Sequence, residues 1–168
     1  MSLSTALAAR AFERTLEELE SREDALDLGD PAALGRRAAL LAAAEAVWGL
    51  QLGPLFDVDQ VKAVLGVGSR QAVSDLAKRG RLLALDAAGQ RKLYPSFQFG
   101  SDGRPFAELA RVLAIFGGAV ETAYTVASWL VSPQELLAGE TPAAWMRSRR
   151  DPEVLFAAAR RAAAVLAH

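Results

Sequence analysis

Two short helical patterns joined by a glycine-bearing turn constrain the fold of this chain more than any other feature. Apolar residues recur at helical spacing from Asp57 to Gly66. A second helix is predicted from Ser69, as its N-cap, to Gly80, as the glycine that follows its last turn. The turn between the two is Gly66-Val67-Gly68. Two helices of this length around such a turn predict a helix-turn-helix.

A β-hairpin is predicted directly after the helix-turn-helix. The segments Arg81 to Asp86 and Arg91 to Tyr94 are predicted strands, and Ala87 to Gln90, which contains a glycine, is their loop. A hairpin in this position is the wing of a winged helix.

Positive charge is concentrated in this part of the chain. The 168 residues include 19 Lys and Arg against 20 Asp and Glu, a net charge of −1, whereas residues 69–92 carry six basic and two acidic residues, a local net of +4. A solvated amphipathic helix is one interpretation; the other, favoured by the turn and the wing, is a local surface for operator DNA. The residues suited to base edges and phosphates are Ser69, Arg70, Gln71, Ser74, Lys78, Arg79 and Arg81 on and after the second helix, and Gln90, Arg91 and Lys92 at the hairpin tip.

Two further helical patterns precede the helix-turn-helix. The first is acidic on its outer face, and the second begins at Asp30-Pro31 and extends to about Leu52. They either pack on each other or form the interface of a homodimer, which is expected because helix-turn-helix proteins commonly read paired half-sites. Their apolar stripes are Leu7, Phe12, Leu16 and Leu19 in the first, and Leu34, Ala38, Leu41 and Trp48 in the second.

The rest of the chain is predicted to be helical. Helices or helical turns are expected over residues 105–116, 121–130, 134–138, 141–147 and from 151 to the end, separated by Gly- and Pro-bearing segments. The fold class is therefore mainly α with a small β-hairpin wing. The organisation that follows is residues 1–54 as N-terminal helices, 55–103 as the winged DNA-binding region, and 104–168 as a helical domain.

Aromatic residues after the wing could stack on single-stranded nucleic acid or pack in the core. Core packing is the favoured interpretation for Tyr94, Phe97 and Phe99. It is also favoured for Trp129, whereas Trp145 is left open between the core and an interface.

The residue inventory argues against catalysis. The chain has no cysteine, and its single histidine is His168, so thiol chemistry, multi-histidine metal centres and histidine-based triads are excluded. Its glycines do not form a phosphate loop, because no Gly-Lys-Ser/Thr follows them. We expect a protein that is not an enzyme and takes no cofactor. With no export signal or membrane-spanning stretch in the sequence, we expect it in the cytoplasm.

The most specific pattern lies between Ala127 and Met146. It comprises a Trp-Leu pair, a proline, and then Leu-Ala-Gly-Glu-Thr-Pro leading into a short helix. This resembles the Xre/MbcA/ParS toxin-binding domain of bacterial antitoxins, in which glycine is usual where this chain has Ala138. The residues that carry the pattern are Trp129, Pro133, Leu137, Gly139, Thr141 and Pro142.

This resemblance implies an antitoxin of a type II toxin–antitoxin module. Its partner would be a RES-domain toxin that consumes NAD, held inactive by the C-terminal helix of the antitoxin, and residues 69–105 look like the DNA-binding half of some members. The alternative is a free-standing transcription regulator whose C-terminal half oligomerises or senses a ligand. The last helix, which begins at Asp151-Pro152, would either dock on its own domain or project into the toxin. The candidate toxin-binding residues are Trp145, Arg160, Arg161, Val165, Leu166 and His168.

Overall fold

The computed structural model describes residues 49–117, 119 and 122–167, together with residues 6, 9–14, 17, 30, 32, 35, 36 and 39. The chain divides into two compact units, Met1–Leu41 and Ala42–His168. In the first unit, residues 9–14 are helical, and the carboxylate of Asp30 accepts a hydrogen bond of 3.1 Å from the backbone N–H of Ala32. Most of the predicted dimer stripe lies outside the described residues, so the homodimer stays a prediction. The stripe residues in question are Leu7, Leu16, Leu19, Leu34, Ala38, Leu41 and Trp48.

The second unit is mainly helical with a small three-stranded antiparallel sheet, which confirms the predicted fold class. In the sheet the central strand is the third in sequence. The elements are β1 (Leu55–Phe56), α1 (Val58–Leu65), α2 (Arg70–Lys78), β2 (Leu85–Ala87), β3 (Arg91–Pro95), α3 (Leu109–Phe116), α4 (Ala123–Val131), α5 (Pro142–Arg147) and α6 (Pro152–Leu166), with 3₁₀ turns at Ala88–Gln90, Ser96–Gln98 and Glu135–Leu137.

Local capping rules produce the helix-turn-helix. The Asp57 side chain caps α1 in a capping box with Gln60, and Gly66 ends the helix at a φ of 66°. The Ser69 hydroxyl accepts from the backbone N–H of Ala72 at 3.1 Å and so caps α2. Gly80 follows α2 with a φ of 64°. Both helices and their ends are confirmed.

The hairpin is present, but its first strand is shorter than predicted. Leu85 pairs with Leu93, and Ala87 pairs with Arg91. The strand does not begin at Arg81, because the Gln98 side chain binds the main-chain N–H and carbonyl of Leu83 that a longer strand would pair in the sheet. β1, which pairs with β3, was not predicted, since two residues are too few for a strand pattern.

Two apolar clusters stabilise the second unit. The smaller holds α1, α2 and the sheet together through Val61, Val73, Leu82 and Tyr94. The larger contains Leu83, Leu85 and Phe97 together with α3, α4, α5 and α6, so one core continues across the predicted boundary at residue 103. Tyr94 and Phe97 are buried, which confirms their predicted core role, and the half-buried Phe99 contacts Phe56 with ring centroids 6.1 Å apart.

A fully buried glutamine joins the segments that follow α2 and β3. The Gln98 side chain accepts a hydrogen bond from the backbone N–H of Leu83 at 2.8 Å. It donates to the carbonyl oxygens of Leu83 and Pro95, each at 3.0 Å. These bonds satisfy main-chain groups that a longer β2 would otherwise have paired in the sheet.

The loop before α3 lies against α1, and it displaces the start of α3. Phe99 and Pro105 form an isolated β-bridge, so α3 begins at Leu109 and not at the predicted residue 105. Between them, Gly103 has a φ of 75°, and a Cβ there would lie 2.4 Å from the carbonyl oxygen of Val64. Only glycine fits this approach without displacing α1.

The predicted motif of residues 127–146 folds as a compact turn between α4 and α5. The Thr141 hydroxyl caps α5 by accepting from the backbone N–H of Ala144 at 3.2 Å, with Pro142 in the first turn. Ala138 and Gly139 both adopt left-handed backbone conformations, with φ of 56° and 81°. The chain therefore makes the glycine-type turn even where alanine replaces glycine.

Candidate functional site

The outer face of α2 carries the predicted DNA-binding residues. Val73 faces the core with no exposed surface, whereas Arg70, Gln71 and Lys78 are exposed and Ser74 is half-buried. The remaining candidates on and beyond this helix, and those at the wing, are also exposed: Ser69, Arg79, Arg81, Gln90, Arg91 and Lys92.

A cleft of about 490 Å³ brings some of the predicted DNA-binding residues of α2 and of the wing together. Its lining includes Arg70 and Ser74 from α2 and Gln90, Arg91 and Lys92 from the wing. The start of α1 closes the cleft with Asp57, Val58 and Asp59. The cleft lining does not include Ser69, Gln71, Arg79 or Arg81. Lys78 lines a second cavity, of about 430 Å³, on the side of the hairpin that faces α3 and α4.

The wing tip is a tight turn. Gly89 and Gln90 both have left-handed backbones, with φ of 70° and 59°. Behind the tip, Lys92 forms an ion pair with Asp86, the residue opposite it in the sheet. The tip therefore presents its polar side chains from a short hairpin anchored by a cross-strand pair.

Two carboxylates hold the residues predicted to read bases. The Arg70 guanidinium donates from Nη2 to Asp59 Oδ2 at 2.5 Å and from Nε to Asp59 Oδ1 at 3.3 Å. The Gln71 amide donates to Asp75 Oδ1 at 2.8 Å. The hydrogen bond from Arg70 holds the pKa of the Asp59 carboxyl below its usual value, and the same bond raises the pKa of Arg70.

Neither carboxylate is among the residues predicted from the sequence. Asp75 lies four residues after Gln71 in α2, so helical spacing alone could have indicated that contact. Asp59 and Arg70 are separated by 11 residues and come together only when α1 and α2 pack.

A second candidate surface lies at the end of α6. Val165 and Leu166 are 71% and 44% exposed, and Leu136 in the preceding 3₁₀ turn is 43% exposed. A groove of about 370 Å³ lies between them, with Trp129 on its lining. Among the described residues, the indole N–H of Trp129 is the one buried side-chain donor without a hydrogen-bond partner.

The structure changes the role of one predicted partner-binding residue. Trp145 is only 9% exposed, its indole N–H donates to the carbonyl oxygen of Asp151 at 2.9 Å, and Arg150 lies 4.9 Å from its ring. It is therefore a core residue and not an exposed interface anchor. Arg160 and Arg161 are exposed, with Arg161 3.7 Å from Glu135 at the edge of the groove.

The remaining predicted site residues lie in the turn and at the chain terminus. Trp129, Leu137 and Pro142 are buried, whereas Pro133 and Gly139 are exposed in the turn. His168 lies outside the described residues.

The described part of the chain offers neither a metal site nor a membrane-spanning helix. It contains no group of three or more His, Cys, Asp or Glu side chains that could hold a metal ion. Within the same residues, no helix combines the length and apolar character needed to cross a membrane.

The chain is similar in fold to a protein of known structure. No family model matches the chain, and no curated protein matches it. Among solved structures, the chain is similar to the NMR structure of Rv2175c, with a TM-score of 0.54 and 22% sequence identity over 68% of this chain and 82% of that chain. At this identity the likeness shows a shared fold.

Proposed function

We propose that this chain is a sequence-specific DNA-binding transcription regulator that acts by binding and not by catalysis. The observation that carries the proposal is the cleft in which the exposed face of α2 meets the wing tip. A capped recognition helix with polar side chains at its N-terminus suits the major groove, where base edges present a readable pattern of donors and acceptors. The cationic wing tip suits an adjacent phosphate backbone.

The exposed residues of α2 and those of the wing differ in what they would contribute. Arg70 and Gln71 lie in the first turn of α2, where they would reach base edges, while Arg91 and Lys92 lie at the wing and would neutralise phosphates. Base contacts determine sequence preference, and phosphate contacts determine affinity and its dependence on salt. Loss of the base contacts should therefore change sequence preference, whereas loss of the phosphate contacts should change affinity and its dependence on salt.

Electrophoretic mobility shifts on the DNA upstream of the gene test this assignment. Arg70→Ala with Gln71→Ala should cost about 1–3 kcal/mol for each lost base contact and weaken sequence preference. Arg91→Ala with Lys92→Ala should weaken binding to all sequences and reduce the salt slope by about 2, one for each phosphate contact.

Arg104→Ala with Arg147→Ala is the charge-matched control, since both residues are exposed outside the cleft. This control should bind the upstream DNA like the wild type. Unchanged binding by the Arg70/Gln71 double variant would refute the assignment.

We further propose that the regulator is the antitoxin of a type II module and neutralises a RES-domain toxin that consumes NAD. The resemblance of residues 127–146 to the antitoxin toxin-binding domain supports this, and so does the exposed apolar end of α6. Val165, Leu166 and Leu136 together offer an apolar surface of the kind that partner interfaces cover. The unpartnered indole N–H of Trp129 adds a buried donor that an acceptor on the partner would satisfy.

Co-expression with a RES-domain protein encoded beside the gene tests neutralisation. A chain truncated after Arg161, and the full chain carrying Val165→Glu with Leu166→Glu, should both lose protection of growth while still binding DNA. Ala157→Glu with Ala164→Glu, at exposed positions of α6 that do not line the groove, is the matched control. Continued protection by the truncated and the Val165/Leu166 variants would refute the assignment of this surface. Failure of the wild-type chain to protect growth would favour the free-standing regulator.

A further inference from the structure

We infer that Asp59 is a positioning residue that makes Arg70 a reader of guanine. The inference rests on the proposed DNA binding and names the base that this part of the surface recognises. Asp59 belongs to the first turn of α1, and Arg70 is the first residue of α2, so the pair bridges the two helices of the helix-turn-helix.

The Arg70 atoms that bind Asp59 determine which of its N–H donors remain available. Asp59 accepts from Nε and Nη2, which form one edge of the planar guanidinium. The next edge is formed by Nη1 and the second N–H of Nη2, and these donors make no hydrogen bond within the described part of the chain. An arginine carries five N–H donors in a rigid fork, so three donors remain after Asp59 takes two. The remaining edge is the one that binds O6 and N7 of a guanine in a bidentate contact.

Asp59 is itself held in place from the other side. Its backbone N–H donates to Asp57 Oδ1 at 2.9 Å, and Lys62 Nζ lies 3.5 Å from its Oδ1. With Asp57, which also acts electrostatically on Arg70, the group of Asp57, Asp59, Lys62 and Arg70 is neutral, so the two carboxylates do not make this part of the surface negative.

Orientation matters because an arginine side chain is flexible. The Arg70 side chain is 69% exposed, and without Asp59 it would have to give up its rotamer freedom when it binds a base. A side chain already fixed in the binding geometry gives up less of this freedom. Asp59 therefore favours the one base that matches the fixed fork over bases that a mobile arginine could reach.

The inference is tested in two steps. The wild-type protein first selects duplexes from a randomised library, and anisotropy titrations then measure binding with all four base pairs at each selected position. The wild type should prefer guanine at one position by about 5- to 150-fold. Arg70→Ala should lose that preference, and Arg70→Lys should reduce it, because lysine can donate to guanine but lacks the planar fork that Asp59 orients. Asp59→Asn should lose most of it at the same position and leave the other positions unchanged.

The matched control is Asp86→Asn, which removes the same charge from the ion pair with Lys92 at the wing. Both Asn variants should bind random duplex at least as tightly as the wild type, because each removes a negative charge near the DNA. Only Asp59→Asn should change base preference. Thermal melting of each variant confirms that the folds are equally stable.

The outcomes separate the inference from the function on which it rests. If the wild type selects no sequence, the proposed DNA binding is wrong. If the wild type selects guanine through Arg70 and Asp59→Asn retains the full preference, DNA binding stands and the positioning role of Asp59 is wrong. A gain in affinity by Asp59→Asn without loss of preference would show that Asp59 only masks charge, and would also overturn the inference.

Discussion

Replacing Gln98 by leucine should destabilise the second unit strongly, because one side chain satisfies three buried main-chain groups. The variant removes the bond from the Leu83 N–H and the bonds to the carbonyl oxygens of Leu83 and Pro95. At about 0.5–1.5 kcal/mol each, the three bonds sum to about 1.5–4.5 kcal/mol. Leucine fills the space of the amide, so the three groups stay buried without partners, and we expect a loss of about 3–5 kcal/mol.

Urea unfolding followed by circular dichroism measures this loss as a shift in midpoint at constant m value. The control is Gln51→Leu, since the Gln51 amide donates to the Ser128 hydroxyl at 3.0 Å from an exposed position. Water replaces an exposed partner, so the control should lose less than about 0.5 kcal/mol. A loss below about 1 kcal/mol for Gln98→Leu would refute the role given to the buried amide.

Three further predictions concern backbone and ionisation. Gly103→Ala should cost at least about 3 kcal/mol by urea unfolding, whereas Gly80→Ala, also left-handed but with open space around it, should cost about 1 kcal/mol. Ala138→Gly should raise the free energy of unfolding by about 0.5–1 kcal/mol, because it relieves a left-handed alanine, and a lower melting temperature would contradict this. Burial raises the pKa of Tyr94 above its usual value of 10.0, so its contribution to stability should be complete below pH 10.0 and decrease as the pH rises further. In unfolding curves measured at alkaline pH, Tyr94→Phe should abolish this decrease, whereas Tyr124→Phe should retain it.

Features set by neighbouring residues could be predicted from the sequence. The caps at Asp57, Ser69, Thr141 and Asp151 each depend on a side chain and an N–H two or three residues away, and all four are present. The helix-turn-helix and the hairpin follow from such local signals, since Gly80 and the wing turn need only short-range geometry.

Features set by packing between distant segments could not be predicted. The strand pattern over residues 81–86 predicts a longer β2, but the side chain of Gln98, 15 residues from Leu83, takes over the main-chain bonds of Leu83. The Asp59 contact to Arg70 likewise requires the angle between α1 and α2. In the candidate site, the sequence could therefore identify the residue types, and the fold determines which of them are held in a fixed orientation.

One helix connects the two proposed surfaces, and this determines which variants can separate their functions. From α4, the Tyr124 hydroxyl donates to the carbonyl oxygen of Asp86 in the wing at 2.9 Å, while Trp129 lines the apolar groove and packs on Phe116 with ring centroids 5.0 Å apart. A substitution at buried Trp129 would therefore disturb the core beneath both surfaces. Val165 is 71% exposed, so changing it alters the groove without removing core contacts. If substitutions at exposed residues such as Val165 abolish neutralisation and leave DNA binding intact, the two functions belong to two separate surfaces.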